Sequence, residues 1–219
     1  MRMGGLRRRM ARAMSGRARR LRWRLVWRMY PGYDDVWARG VYHCLFCDGY
    51  EDRGVESAGV LALGELGKLQ PAVHTARMAK RLTSSVTIYT DGDVELESQI
   101  RNTLGKDPFF KMDGGRVTRL EKAKEKASEV IVYLQDGSKV VHGFVAHKHK
   151  PKINGPFVEQ LGLELADTAV INSSSPWYET SVSCDFAVGD CASPVPAVPN
   201  AMSMGAFAAI GLAGQLGAE

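Results

Sequence analysis

The hydrophobic and polar positions of the chain are most regular between residues 59 and 92. An apolar run at residues 59–63 is followed by a glycine-containing turn at residues 64–67. Apolar residues then recur at helical spacing, and the β-branched run Val86–Tyr89 ends at Asp91-Gly92. A strand, a glycine turn, a helix and a strand in this order predict a βαβ unit, which requires a parallel sheet.

Downstream of this unit the chain alternates again between helical and strand patterns. A second helix is predicted over residues 94–107 and ends near Gly105. β-Branched residues predict strands over 115–123 and 128–146, and Asp136-Gly137 inside the second range is typical of a hairpin turn. These elements complete a predicted α/β domain.

The last part of the chain has a different pattern. Residues 147–157 are loop-like, and an apolar strand is predicted to end at Gly189-Asp190. A helix of small residues follows over 200–216, with Asn200 as the predicted N-cap. Small side chains let such a helix pack close to a sheet or to a bound cofactor.

The positive charge of the chain is concentrated at its start. The formal net charge is +5, but residues 1–30 hold eleven of the 29 Lys and Arg residues and none of the 24 acids. The remainder has 18 basic and 24 acidic residues, so the basic character does not belong to the fold. Three interpretations of this Arg-rich leader stay open: an organellar transit peptide, an arm that binds nucleic acid or a membrane, and a mis-predicted gene start.

The sequence also bounds compartment and partners. No run of about 18 apolar residues is present, so we expect no membrane span. Arginines interrupt every apolar stretch of the leader, which excludes a secretory signal and favours a reducing compartment. We expect the cytoplasm, with the mitochondrion as the alternative that the leader would favour. Nucleic-acid binding would rest on the leader alone, so no nucleic-acid partner is expected.

Cys44 and Cys47 stand two residues apart within VYHCLFCDGY, and Asp48 follows directly. Zinc would require four ligands, and Cys184 and Cys191 make a poor second pair beside a predicted strand, so we expect no metal site. A CxxC brings two sulfurs within bonding distance, which favours a redox dithiol over a simple turn. An acid after the second cysteine can protonate a leaving thiolate, although an Asp-Gly pair is also typical of a turn.

The glycine turn at residues 62–67, ALGELG, fits G-x-G-x-x-G with alanine in the first place. A strand before it and a helix after it are the required context, so Gly64 and Gly67 are candidate nucleotide contacts. Asp91 and Asp93 after the next strand suit a free ribose hydroxyl and repel a 2′-phosphate, and Glu65 opposes a pyrophosphate. A domain of this shape that no longer binds nucleotide stays an equal alternative.

Two further segments are candidates for binding. The segment FAVGDC would place Asp190 at the carboxyl end of a strand, where open α/β sheets bind ligands, but an ordinary turn is an equal alternative. His147 and His149 alternate with lysines, a pattern more typical of a solvated loop than of a ligand pair.

In this order, CLFCD, the βαβ unit with its glycine turn, TSVSCDFAVGD and the closing small-residue helix resemble the thioredoxin-reductase-like flavoproteins. HCLFCDGYEDRG and VPNAMSMGAFAAIGLAGQL resemble the fungal branch that contains the gliotoxin-type dithiol oxidases. The resemblance covers residues 31–216 and implies a Rossmann-like, FAD/NAD(P)-binding two-domain flavoprotein fold. Residues 31–143 would be the NAD(P)-type domain that carries the redox cysteines, and residues 144–219 the C-terminal part of the FAD-binding domain.

The resemblance also implies roles for single residues. Cys47 would face the flavin, Cys44 would exchange with substrate, and Asp48 would match the acid of thioredoxin reductases. The implied contacts to FAD are Gly189, Asp190, Asn200 and Ala201.

The implied reaction passes electrons from a small dithiol to the cysteine pair and on to FAD. No arginine follows Tyr89, which favours oxygen over NADPH as the partner of the flavin; an NADPH-dependent thioredoxin reductase is the alternative. Family members are usually homodimers. They also begin with a strand, a G-x-G-x-x-G and a helix that hold FAD, and the Arg-rich leader has no such motif. We therefore expect an N-terminally truncated fold, with an inactive fragment that holds no flavin as a further alternative.

Overall fold

The computed structural model describes residues 30–123, 128–149, 153 and 155–218. The chain forms two compact units, one that ends at residue 150 and one that continues from residue 151. The Arg-rich leader, apart from Tyr30, lies outside the described residues. The division falls after residue 150 and not after 143, because the strand Phe144–Ala146 pairs within the first unit.

A parallel sheet forms the centre of the first unit. Within the described residues its strands, in the order in which they lie side by side, are β1 (Val41–Tyr42), β8 (Phe144–Ala146), β2 (Ala58–Leu61), β3 (Val86–Tyr89) and β4 (Phe110–Asp113). All neighbouring pairs are parallel, which confirms the predicted βαβ unit. The segments that follow these strands therefore meet at one edge of the sheet, here called the carboxyl edge.

Helices cover one face of the parallel sheet and a second sheet covers the other. The helices of the first unit are α1 (Tyr33–Val36), α2 (Leu69–Lys80) and α3 (Val94–Leu104). α2 and α3 cover one face, and α1 packs on the other face with the second sheet. The second sheet is antiparallel and contains β5 (Val117–Lys122), β6 (Val130–Leu134) and β7 (Lys139–His142).

Neighbouring residues of each parallel strand point to opposite faces and so divide the core in two. Val60 and Ile88 pack with residues of α2 and α3. Leu61 and Tyr89, which follow them directly, pack with α1 and the antiparallel sheet. Both faces of the sheet are therefore buried, as expected for parallel strands.

The predicted hairpin over 128–146 contains three strands in the structure and not two. The hairpin at Asp136-Gly137 joins β6 to β7 as predicted, with the Ser138 carbonyl accepting from the Leu134 N–H at 2.9 Å. Gly143 then separates β7 from β8, and its N–H donates to the Ser57 carbonyl at 2.8 Å. A side chain at Gly143 would overlap Val55, so the close approach that moves the chain from one sheet to the other requires glycine.

The second unit contains short elements and one long helix. They are α4 (Phe157–Leu161), β9 (Ser173–Ser174), β10 (Glu179–Thr180) and α5 (Val198–Gly217). Among the described residues, no helix is both long enough and apolar enough to cross a membrane.

Two predictions for the second unit are wrong. The predicted strand ending at Gly189-Asp190 is not formed, since in the described part of the chain this segment makes only an isolated bridge, between Phe186 and Glu179, and then a single 3₁₀ turn. Helix α5 begins at Val198, with a proline in its first turn, which suits a helix start. Asn200 is therefore inside the helix and is not its N-cap.

Candidate redox site

Cys44 and Cys47 lie just beyond β1 at the carboxyl edge and are joined by a disulfide, with their Cα atoms 5.4 Å apart. The chain from Leu45 to Gly49, which contains Cys47 and follows Cys44 directly, forms one wide helical turn, here called the redox turn. The Cys47 N–H donates to Cys44 Sγ at 3.2 Å, and the Asp48 N–H donates to the Cys44 carbonyl at 3.2 Å. Cys44 is half-buried and Cys47 is exposed, so the sulfur pair is open to an incoming thiol.

Asp48 is exposed on the redox turn, and a second acid lies close to it. Tyr42, the last residue of β1, is buried, and its hydroxyl donates to Asp52 Oδ2 at 2.5 Å. Burial raises the pKa of Tyr42, and the bond to Asp52 and the charges of Asp52 and Asp48 raise it further. The carboxylates of Asp48 and Asp52 therefore both lie near the hydroxyl of Tyr42, two residues before Cys44.

An aromatic cluster lies beside the redox turn. The ring of His43 stacks on Trp37 at a centroid distance of 5.7 Å, and Trp37 also contacts Tyr33 and His149 at 5.9 and 5.5 Å. His147 is buried, with its Nδ1 2.6 Å from the Tyr33 hydroxyl. The interpretation of His147 as part of a solvated loop is wrong, because the segment after β8 runs through the carboxyl edge.

The glycine turn is filled by this same segment. Gly64 has a φ of +61°, and a Cβ there would lie 2.8 Å from the Lys148 carbonyl oxygen and 3.4 Å from His147 Nε2. The Glu65 N–H donates to that Lys148 carbonyl at 2.8 Å. The protein's own backbone therefore lies against the face of the turn that a phosphate would need.

The two acids after β3 have partners in the protein. Asp91 Oδ1 accepts from the Val117 N–H at 2.7 Å, and Asp93 Oδ1 caps α3 by accepting from the Leu96 N–H at 2.9 Å. Sequence reasoning missed an arginine at this position: a Cβ at Gly92 would lie 3.5 Å from Arg116 Nε. Arg116 comes from the segment before β5, and no local pattern connects it to the end of β3.

These contacts decide whether the first unit fits a nicotinamide dinucleotide. A pyrophosphate needs free backbone N–H groups at the glycine turn, and the N–H of Glu65 is bonded to Lys148. Asp91 and Asp93 each use one oxygen on backbone N–H groups, so neither is wholly free for a ribose. The residues around Gly64 therefore do not fit such a nucleotide.

The implied FAD contacts lie together in the second unit. Gly189 is buried with a φ of +72°, and a Cβ there would lie 3.4 Å from Ala201 Cβ, so the 3₁₀ turn packs on the first turns of α5. Asp190, next in the turn, is exposed. The Asn200 side chain donates to Ser193 Oγ at 2.9 Å, and the Ala201 N–H is bonded within the helix.

The second unit fits part of a flavin site. An exposed carboxylate suits a ribityl or ribose hydroxyl, and a helix start with no side-chain cap leaves backbone N–H groups for an electron-rich ring. Asp190 and the first turn of α5 are therefore the residues that would hold FAD. The side-chain amide of Asn200 and the backbone N–H of Ala201 already have partners within the protein. These two residues would therefore lie beside FAD without donating those hydrogen bonds to it.

The other two cysteines, Cys184 and Cys191, are partly buried and act as packing residues. Cys184 and Cys191 are free thiols, and the Cys191 Sγ donates to the Val188 carbonyl at 3.2 Å. Burial raises the pKa of the Cys191 thiol, which makes it a poor nucleophile. No cluster of His, Cys, Asp and Glu in the described ranges could hold a metal ion.

No family model matches the sequence, but individual proteins do. The chain is 40% identical over 187 residues, 85% of its length, to thioredoxin reductase aclD of Aspergillus oryzae. It is 37% identical over 208 residues to a thioredoxin reductase of Gibberella zeae. The chain spans 59% and 60% of the length of these two relatives.

A solved structure has the same fold. An oxidoreductase from Agrobacterium tumefaciens superposes with a TM-score of 0.70 at 24% identity, covering 86% of this chain and 60% of that one. The Rossmann-like α/β fold and the CxxC expected from the sequence are thus both present. The chain is related in sequence and in fold to the thioredoxin-reductase-like oxidoreductases.

Proposed function

We propose that the chain serves in the FAD-dependent oxidation of a small dithiol, with the Cys44–Cys47 disulfide as the immediate electron acceptor. The observation that carries the proposal is a disulfide in a solvent-open turn at the carboxyl edge of a Rossmann-like sheet. The chain spans about 60% of the length of these relatives, so catalysis of the whole reaction, from dithiol to final electron acceptor, is itself part of the proposal.

The exchange between a substrate dithiol and the Cys44–Cys47 disulfide needs no further oxidant or reductant. One substrate thiolate attacks the Cys44 sulfur, and the Cys47 sulfur leaves as a thiolate. The second substrate thiolate attacks its partner sulfur in this mixed disulfide and releases Cys44. One disulfide is broken and one is formed, so two electrons pass from the substrate to the protein, and the two substrate protons go to the cysteine thiolates or to water.

Asp48 is the proton carrier in this proposal. It follows Cys47 directly, and its backbone N–H is bonded to the Cys44 carbonyl, which fixes its place on the redox turn. An exposed carboxyl group there can deliver a proton to the leaving thiolate and recover it from solvent. FAD, held by Asp190 and the start of α5, would supply the acceptor that restores the disulfide.

Oxygen is the proposed final acceptor. The support is the filled glycine turn, where Lys148 takes the N–H of Glu65 that a dinucleotide would need. The relatives are named thioredoxin reductases, and an NADPH-dependent reductase would require that site. Two observations favour the reductase: the names of the relatives, and Arg116, which lies near Gly92 at the end of β3.

The test is anaerobic oxidation of dithiothreitol by the full chain. We expect each oxidised chain to convert one dithiothreitol to its cyclic disulfide and to gain two thiols. Cys44→Ser and Cys47→Ser should give none. Cys184→Ser and Cys191→Ser remove the same atom elsewhere in the chain and should leave the yield unchanged.

Turnover is tested by adding FAD and air. Repeated oxidation of dithiothreitol, with peroxide formed in equal amount, supports the complete proposal. A stoichiometric reaction that does not turn over, with a colourless protein after desalting, would contradict flavin use and leave only the exchange step. A reaction that proceeds unchanged in Cys47→Ser would contradict the exchange step itself.

A further inference from the structure

The last residue of β1 is tied to the far side of the redox turn. The ring of Tyr42 is buried with a centroid distance of 6.0 Å to Phe144, so its position is set by the core. Its hydroxyl donates to Asp52, ten residues further along the chain, at 2.5 Å. Cys44, Cys47 and Asp48 all lie between these two residues.

The redox turn has few other side-chain anchors. Within it Phe46 is 80% exposed, and Cys47 and Asp48 are exposed as well; Tyr50, directly after the turn, is 52% exposed. Leu45 and Gly49 are the buried members of the turn. The next attachment to the rest of the fold is the Gly54 N–H, which donates to the Leu82 carbonyl at 2.7 Å.

We propose that Tyr42 and Asp52 are positioning residues of the redox site, whose hydrogen bond keeps Cys44 and Cys47 close together after the disulfide is reduced. This inference deepens the proposed function, on which it rests. In the oxidised chain the disulfide itself closes the turn. In the dithiol form the backbone bond from the Asp48 N–H to the Cys44 carbonyl still closes the turn locally, and the Tyr42–Asp52 bond is the side-chain bond that ties its far end to the sheet.

The thermodynamic consequence follows from this difference between the two redox states. An ordered dithiol has a high effective concentration of one thiol at the other, which favours the disulfide. Loss of the bond would give the dithiol form more conformational freedom than the oxidised form, and reduction would become easier. A bond with only a general role in stability would affect both forms equally and leave the equilibrium unchanged.

The test is the equilibrium of the full-length chain with glutathione, read by alkylation of free thiols. Tyr42→Phe removes the donor and Asp52→Asn removes the charge of the acceptor. We expect both variants to lower the equilibrium constant for disulfide formation by about tenfold, which corresponds to about 30 mV in the reduction potential. Thermal unfolding of the oxidised and reduced forms should show the larger loss in the reduced form.

Two control variants match these changes. Glu51→Gln removes a charge one residue away without touching the bond. Tyr89→Phe removes another buried hydroxyl of the same sheet, one that lies 2.8 Å from His142 Nε2. Tyr89→Phe should lower stability in both redox states, and neither control should move the equilibrium.

The outcomes separate the inference from the function on which it rests. Equal equilibrium constants for wild type, Tyr42→Phe and Asp52→Asn would overturn the positioning role while leaving the exchange chemistry intact. A shift of the same size in Tyr89→Phe would also overturn it. A wild-type disulfide that does not equilibrate with glutathione would overturn the proposed function, and the positioning role with it.

Discussion

The redox turn follows β1 and the glycine turn follows β2, two strands of one sheet that β8 separates, and the turns differ in what lies against them. In the redox turn, Cys47 is exposed and the disulfide is open to solvent. In the glycine turn, the Lys148 carbonyl and the buried ring of His147 lie against Gly64. The first presents its reactive atoms to a partner, whereas the second uses its backbone donors within the protein.

This difference shows that position at the carboxyl edge does not by itself make a binding site. Both turns lie where open α/β sheets bind ligands. Only the redox turn leaves its chemistry accessible, so we infer that electrons enter this unit as thiols and not as a nicotinamide hydride. The glycine turn is then a packing element, and its substitution should cost stability.

The largest expected effect is that of Gly64→Ala. A left-handed φ of +61° and a Cβ 2.8 Å from a backbone oxygen should together lower the free energy of unfolding by about 3 kcal/mol. Urea denaturation measures the loss.

The matched control is Gly162→Ala. Gly162 has a φ of +69° in the left-handed region but nothing within 4 Å of its Cβ position, so strain alone remains, about 1 kcal/mol. Equal losses in the two variants would mean that the segment after β8 does not fill the glycine turn.

The next effect is the pH dependence that His147 adds to stability. Burial, followed by the charge of His149, lowers the pKa of His147 to about 4. The unfolded chain then binds a proton near its ordinary pKa of about 6.5 while the folded chain does not. The stabilisation is therefore complete above pH ~6.5 and is lost as the pH falls towards ~4.

Variants isolate this contribution. Between pH ~7 and ~5 the free energy of unfolding should fall by about 2 kcal/mol more in the wild type than in His147→Gln. His74→Gln changes an exposed histidine and should retain the wild-type slope. A His147→Gln slope identical to the wild type would show that the ring is hydrated and that the glycine turn is accessible.

The smallest of the three effects concerns Asp48. If its carboxyl group carries the proton to the leaving thiolate, Asp48→Asn should slow disulfide reduction by dithiothreitol about tenfold and flatten its pH profile. This factor is below the usual range for a general acid because the group is exposed and water can replace it. Glu51→Gln, an exposed neighbour, should react at the wild-type rate; a similar slowing there would assign the effect to surface charge.

The sequence predicted the parts of the fold that local pattern controls. The βαβ unit was found because β2, α2 and β3 are continuous apolar segments separated by strong turn residues. β1 has two residues, and β4 mixes Phe110 with Lys111 and Asp113 at the edge of the sheet, so neither has a readable period. Gly143 was passed over because its role depends on Val55, far away in the sequence.

For the site, too, local spacing was predictable and contacts between residues distant in the sequence were not. The CxxC spacing predicted the sulfur pair, which the structure joins. Tyr42 and Asp52 meet through the fold of the redox turn, and Lys148 reaches Gly64 across the sheet edge. Such contacts bring together residues that no spacing rule connects.

The most direct test of the difference between the two turns is a count of free thiols in the full chain with FAD, after addition of either dithiothreitol or NADPH. We expect dithiothreitol to raise the count from two, Cys184 and Cys191, to four by opening the Cys44–Cys47 disulfide, and NADPH to leave it at two. Four thiols after NADPH, or two after dithiothreitol, would contradict this expectation.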